Sequence, residues 1–158
     1  MTEDFPSKAF TVDEANRLVG AMERVMAEIE RLGGEVEEHH RRLQILDALW
    51  GPKVLAEENP DHAEFIRDRE KLDAIVERIE CLVRDEILAK GVRFPPGGVE
   101  QGLLDFPTTL DGRWVYLCWM RGEPSVEHWH EITDGFAGRQ HVTPDHESRM
   151  GTQPLEPS

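Results

Sequence analysis

Apolar residues recur at alternating steps of three and four along Ala15, Leu18, Met22, Val25, Ile29, Leu32, Val36, His39, Leu43, Leu46 and Trp50. Only a long helix brings such a set onto one stripe, and a stripe with this spacing is a seam made to meet another helix. Thr11 is placed to cap the helix, and Glu14, three positions on, completes a capping box, with Phe10 ready to pack against the first turn. Asp13 with Arg17, Glu37 with Arg41 and Glu38 with Arg42 stand at i,i+4 and mark the solvated face. Gly33 and Gly34 interrupt the run, each costing about 1 kcal/mol relative to alanine. The seam continues in phase beyond them, so a kink is expected there rather than a break.

Gly51 and Pro52 end this helix, predicted over 11–50, and Asn59, Pro60 and Asp61 open a second one over about 61–90 that stops at Gly91. The second helix carries a wide stripe: Phe65, Leu72, Ile75, Ile79 and Leu82, flanked by Ile66, Val76, Val83 and Ile87. It can pack on the first helix along one edge and on a sheet along the other. His39 is the polar member of the first seam, and an antiparallel turn near residue 55 sets it across from Asp68 or Leu72. A buried His39–Asp68 pair would fix the register of the two helices.

After Gly91 the pattern changes to period two. Val92–Phe94 is short and extended, Pro95–Gly98 is a loop, and three strands follow over about 103–110, 113–120 and 126–132. Asp111-Gly112 is a two-residue hairpin signal, and residues 121–125 form the next turn. A type I′ turn at 111–112 sets Asp105 opposite Cys118, and the second turn sets Cys118 beside His128 and Tyr116 beside His130. Leu104, Phe106, Leu110, Val115, Leu117, Trp119 and Trp129 then share one face, a core layer for the helices. The other face gathers Asp105, Cys118, His128 and His130. A slip of one residue would scatter that set, and Pro107 is a place for a bulge.

The expected fold class is therefore α+β: a long antiparallel two-helix hairpin packed on one face of a small antiparallel β-meander of three to four strands. Residues 1–142 make a single domain, with the hairpin at 11–50 and 61–90 and the meander at 92–142. Residues 143–158, rich in proline and polar residues, make a disordered C-terminal tail. The chain has 158 residues, and a hydrophobic share of 39% suffices for one core. Lys and Arg number 18 against 32 Asp and Glu, a net charge of -14 with no basic stretch to balance it. Direct binding to nucleic acid or to an anionic membrane surface is disfavoured. Neither a signal-like N-terminus nor a membrane-spanning run is found, so a cytoplasmic protein with two reduced cysteines, Cys81 and Cys118, is expected.

The stretches LLDFP (103–107), GRWVYLCW (112–119), GEP (122–124) and WHEITDGFAGRQ (129–140) carry a resemblance, joined by AFTVDEAN (9–16) and the helical hairpin. On these motifs the chain resembles the bacterial family catalogued as domain of unknown function 2203, over most of its length. The resemblance implies counterparts in that family of Asp105, Glu123, His130, Glu131 and Arg139, and no histidine at the position of His128. It implies no activity.

His128 and His130, one residue apart on a strand, point the same way. Together with Asp105, Glu123 or Cys118 they make a mixed N, O and S set for a divalent metal, with zinc, iron and manganese all admissible. The plainer alternative makes His130 a structural hydrogen-bond donor to Asp105 or Glu123, His128 a solvated side chain and Cys118 a small buried hydrophobe. A catalytic reading draws on Cys118 as a thiolate activated by His128 or His130 and on Arg139 as a cation for an anionic substrate, with Glu131 a further catalytic candidate. An arginine so placed more often pairs with a nearby acid such as Glu131 or Asp134. Two functional classes follow. One is a divalent-metal-binding protein, extending to a small metal-dependent hydrolase, with its site on the meander. The other is a noncatalytic module in which the acidic hairpin binds a protein partner or pairs as a homodimer.

Overall fold

A computed structural model describes residue 6 and residues 8–151. The chain divides into two compact units: residues up to Met26 with those from Asp85 onward, and Ala27–Arg84.

Helix α1, Val12–Trp50, contributes to both. Its start is the expected capping box: Glu14 N–H donates to Thr11 Oγ1 at 3.0 Å and Thr11 N–H to Glu14 Oε1 at 3.2 Å. The helix runs unbroken through Gly33 and Gly34, because the hydrogen bonds of the flanking turns and an in-phase seam outweigh the glycine cost.

In the unit Ala27–Arg84, α1 is followed by a 3-10 turn, Gly51–Leu55, and by α2, His62–Leu82. Ile29, Leu32, Leu46, Val54 and Leu82 are buried here. Trp50 Nε1 donates to Asp61 Oδ2 at 2.7 Å and closes the hairpin. The expected polar pair forms: His39 Nδ1 lies 3.0 Å from Asp68 Oδ1, with Asp68 5% exposed. Asp68 Oδ2 has no hydrogen-bond partner. The helical chain predicted to run to residue 90 changes its winding after α2, into a π turn, Val83–Ile87, and a 3-10 turn, Leu88–Lys90, before Gly91 at φ +88°.

In the other unit the strands β1 (Leu103–Leu110), β2 (Arg113–Met120), β3 (His128–Glu131) and β4 (Gln140–His141) form one antiparallel sheet in the order β1-β2-β3-β4. A short helix, α3 (Gly98–Gln101), leads into β1. Asp111 and Gly112 have φ of +50° and +81°, the two positive values that a type I′ turn needs, and the pairing is the expected one: Asp105↔Cys118, then Cys118↔His128 and Tyr116↔His130. Pro107 makes no bulge and pairs with Tyr116 in unbroken register. The reason is its phase on an edge strand. Asp105, two residues earlier, exchanges both backbone hydrogen bonds with Arg93 on the outer side, so Pro107 also turns its missing N–H outward, away from β2. Its carbonyl accepts Phe10 N–H at 2.8 Å.

Leu104, Phe106, Leu110, Val115, Leu117, Trp119 and Trp129 are all buried, as one face of the sheet should be. Phe10 sits edge-on to Phe106 at 5.4 Å, and Val12, Ala15, Met22 and Met26 from the start of α1 are buried as well. The side chains of α1 also hold the β2–β3 turn: Asn16 Oδ1 accepts Val126 N–H at 2.7 Å, and Glu23 takes Arg121 and Gly122 N–H, each at 3.3 Å.

The first part of the expected tail has regular structure. Thr143 and His146 form a capping box for a short helix, α4 (Pro144–Arg149), whose following residue, Met150, is 3% exposed. Met150, the His146 ring edge-on to Trp129 at 5.2 Å and the Arg149–Asp111 ion pair anchor it, a scattered set with no period to stand out in sequence. Residues 152–158 of the expected tail lie outside the described residues. Among the described residues no helix is long and apolar enough to cross a membrane.

Candidate metal centre

The register lays ligand-type side chains in rows across the sheet, on the face opposite the apolar core. One row reads Asp105, Cys118, His128 and His141 across β1 to β4; the next reads Pro107, Tyr116 and His130. His130 reaches diagonally back toward the first row, and its Nε2 stands 3.0 Å from Asp105 Oδ1. Asp105, Cys118 and His130 thereby bring one ligand atom each to within 4.8 Å of one another. All are buried, with 3%, 1% and 2% exposed.

The other nitrogen of His130 is committed. Nδ1 lies 2.7 Å from the Glu131 carbonyl, which can only accept, so Nδ1 carries a proton and donates. Burial alone would push the His130 pKa down. Hydrogen bonds to Asp105, to Cys118 and to the Glu131 carbonyl, with the charge of Asp105, more than offset this and carry it up to about 10. Without a metal the site is thus an imidazolium held against a carboxylate.

His128 and Glu123 fall into a neighbouring cluster instead. His128 Nδ1 is 3.3 Å from Glu123 Oε2 but out of line for a hydrogen bond, and its ring lies tilted against that of His141, with centroids 4.5 Å apart. Burial, and then the nearby Arg139 cation, hold the His128 pKa below its ordinary value. Glu123 Oε1 accepts Met120 N–H at 2.6 Å and Arg139 Nη2–H at 2.5 Å. The same Nη2 reaches the Cys118 carbonyl at 3.2 Å, while Arg139 Nε has no acceptor. The carboxylate of Glu131 leaves the site altogether for Arg113, with Nε at 3.0 Å from Oε2, which also holds its pKa below the usual carboxylate range.

The set expected from sequence is therefore redistributed. His130 and Asp105 meet, Cys118 is the third member, and His128 with Glu123 stands beside them. The contribution of Glu131 is its backbone carbonyl, and His141 enters the row from a two-residue strand. Neither was singled out in sequence. Alternate residues either side of a Gly-rich turn at 135–138 were the available sign for His141, and a backbone carbonyl has no sequence sign. For the nucleophile reading, the structure gives Cys118 as 1% exposed, with His130 Nδ1 taken by a carbonyl and Nε2 shared with Asp105.

Residues 8–142 match a family of uncharacterised conserved proteins, DUF2203. No curated protein and no solved structure matches the chain. With a match over most of its length, this chain belongs to the DUF2203 family.

Proposed function

We propose that this chain is a divalent-metal-binding protein whose metal is held by Asp105, Cys118 and His130. The observation that carries the reading is the convergence of three different ligand atoms within 4.8 Å on a rigid sheet, with His130 Nδ1 already donating to a carbonyl. That second hydrogen bond fixes the tautomer and leaves Nε2 as the ligating atom, the usual setting of a metal-bound histidine. Zinc suits one N, one O and one S best; iron is next, and manganese, which favours oxygen-rich sets, is last.

Charge supports the reading as well. A dication with the Asp105 carboxylate, the Cys118 thiolate and neutral His130 sums to zero. A buried set of zero net charge avoids the large cost of an uncompensated ion. Binding expels the Nε2 proton, so affinity rises with pH. Three protein ligands leave a coordination position for water, and a metal lowers the pKa of such a water, which is the chemistry of hydrolysis.

The test is the metal content of tag-free protein purified without chelator, measured by plasma mass spectrometry beside His130→Ala. About one equivalent per chain in the wild type, lost in the variant, is expected for a single site. No metal in the wild type, even after addition of zinc, iron or manganese, overturns the reading.

A second reading is favoured by a separate observation. Ile45, Leu49 and Leu55, at the end of α1 and in the turn after it, are 54%, 67% and 56% exposed. This group fits self-association through the hairpin, a homodimer in which two turns meet.

A further inference from the structure

Both ends of the turn between β3 and β4 grip a side chain or strand of the proposed centre. At its start the Glu131 carbonyl accepts two hydrogen bonds, from His130 Nδ1 at 2.7 Å and from Asp134 N–H at 3.1 Å. One oxygen thus closes the turn and orients the imidazole. At its end Arg139, one residue before the Trp129↔Gln140 pair, sends Nη2 to the Cys118 carbonyl at 3.2 Å and to Glu123 Oε1 at 2.5 Å. Glu123 is fixed in turn by Met120 N–H on the same strand as Cys118.

We propose that the turn Glu131–Arg139 is the outer shell of the metal centre, and that Arg139 is its positioning residue, acting on Cys118 through the backbone carbonyl and Glu123. The inference rests on the metal reading above and extends it from ligands to what orients them. A guanidinium is suited to the task because its planar fork can serve two acceptors at once, which the single ammonium of lysine does less well. The guanidinium also lies over the Phe136 ring, its carbon 5.2 Å from the ring centroid.

The turn is built for a single shape. Gly135 has φ +59° and ψ −158°, a region essentially closed to side-chain-bearing residues, and a Cβ on Gly138 would come within 2.3 Å of Asp134 Cβ. Such rigidity matters because metal affinity depends on ligands held in place before the ion arrives; loss of an outer-shell partner typically lowers affinity about 10–100-fold.

Cobalt(II) titration of the full chain tests this, reading the affinity together with the thiolate-to-cobalt charge-transfer band, which reports the Cys118–metal bond and which a purely structural role would leave intact. Arg139→Ala is expected to bind cobalt about 10–100-fold more weakly with a weakened band. Arg139→Lys, which keeps the charge, is expected to recover only part of both. Wild-type affinity and band in a folded Arg139→Ala variant overturn the inference; should that variant not fold, the same result in Arg139→Lys overturns it. A wild-type chain that takes up no cobalt removes the metal reading and this inference with it, whereas wild-type uptake with unchanged variants removes the inference alone.

Discussion

Two histidines two positions apart on β3 respond to protons in opposite senses. For His130 the folded pKa is raised, to about 10 from an ordinary value of 6.5. Below about pH 6.5 the imidazolium is present folded and unfolded, and the contribution of its pairing with Asp105 is complete. As pH rises toward 10 the folded state holds a proton that the unfolded chain has released, and that contribution is lost. For His128 the folded pKa is lowered, by burial first and by Arg139 next, so its contribution is complete above about pH 6.5 and is lost as pH falls. Metal-free protein in chelator should therefore lose melting temperature on the alkaline side more steeply than His130→Gln, which keeps a donor but does not titrate. On the acid side it should lose more than His128→Asn. On the proposed metal reading zinc should reverse the alkaline trend, because a metal bound at Nε2 would replace its proton and add stabilisation that grows with pH. Parallel alkaline curves for wild type and His130→Gln in chelator would show that His130 is not held protonated.

At the scale of elements, glycines separate into those a helix tolerates and those a turn requires. Nothing lies within 4 Å of a Cβ built on Gly34, and its backbone is helical, so Gly34→Ala should raise stability by about 1 kcal/mol in denaturant unfolding. Gly135→Ala should lower it by roughly 1–3 kcal/mol, since φ +59° with ψ −158° is strained for alanine. The His39–Asp68 pair offers a sharper contrast. Asp68→Ala leaves His39 without its partner and should cost about 1–3 kcal/mol, whereas leucine at both positions should be neutral or stabilising, because Asp68 Oδ2 is buried without a partner. A double-leucine chain less stable than Asp68→Ala would refute that account. These elements differ in how well they could be read beforehand. The hairpin at Asp111-Gly112 was legible with its register, because a two-residue turn and a period of two leave no freedom; Asp105 opposite Cys118 followed from it, and His128 joined the row through the five-residue turn at 121–125. So was the His39–Asp68 level, fixed by the seam and the turn near residue 55. Other features were not. The flat passage of Pro107 depended on which edge of β1 faces outward, which Arg93 decides from outside the hairpin. The pairing of Glu123 with Arg139 depended on how the turn 131–139 folds back, and His141 on a strand two residues long. Sequence periodicity places side chains along an element; it carries little about loops that return to it.

At the scale of the molecule, the two functional readings fall in different compact units, and that separates them experimentally. Asp105, Cys118 and His130 belong to the unit that contains the sheet, while Ile45, Leu49 and Leu55 belong to Ala27–Arg84. Three exposed side chains make a patch of at most a few hundred Å², within what monomers ordinarily expose and well short of the roughly 1,200–2,000 Å² of a stable interface. Self-association through this patch should therefore be weak and dependent on protein concentration. A net charge of -14 per chain opposes it further, so added salt should strengthen the dimer by screening. Sedimentation of one set of samples, with metal content measured on each, tests both readings together. Ile45→Glu with Leu49→Glu should yield monomers at every concentration while keeping the wild-type metal equivalents. His130→Ala should lose metal while keeping the wild-type association. A wild-type chain that stays monomeric at high concentration and high salt sinks the homodimer and leaves the metal reading standing, because no ligand of the centre comes from the hairpin unit. Loss of metal in the Ile45→Glu, Leu49→Glu chain would mean instead that the centre depends on assembly, and that the two units do not act independently.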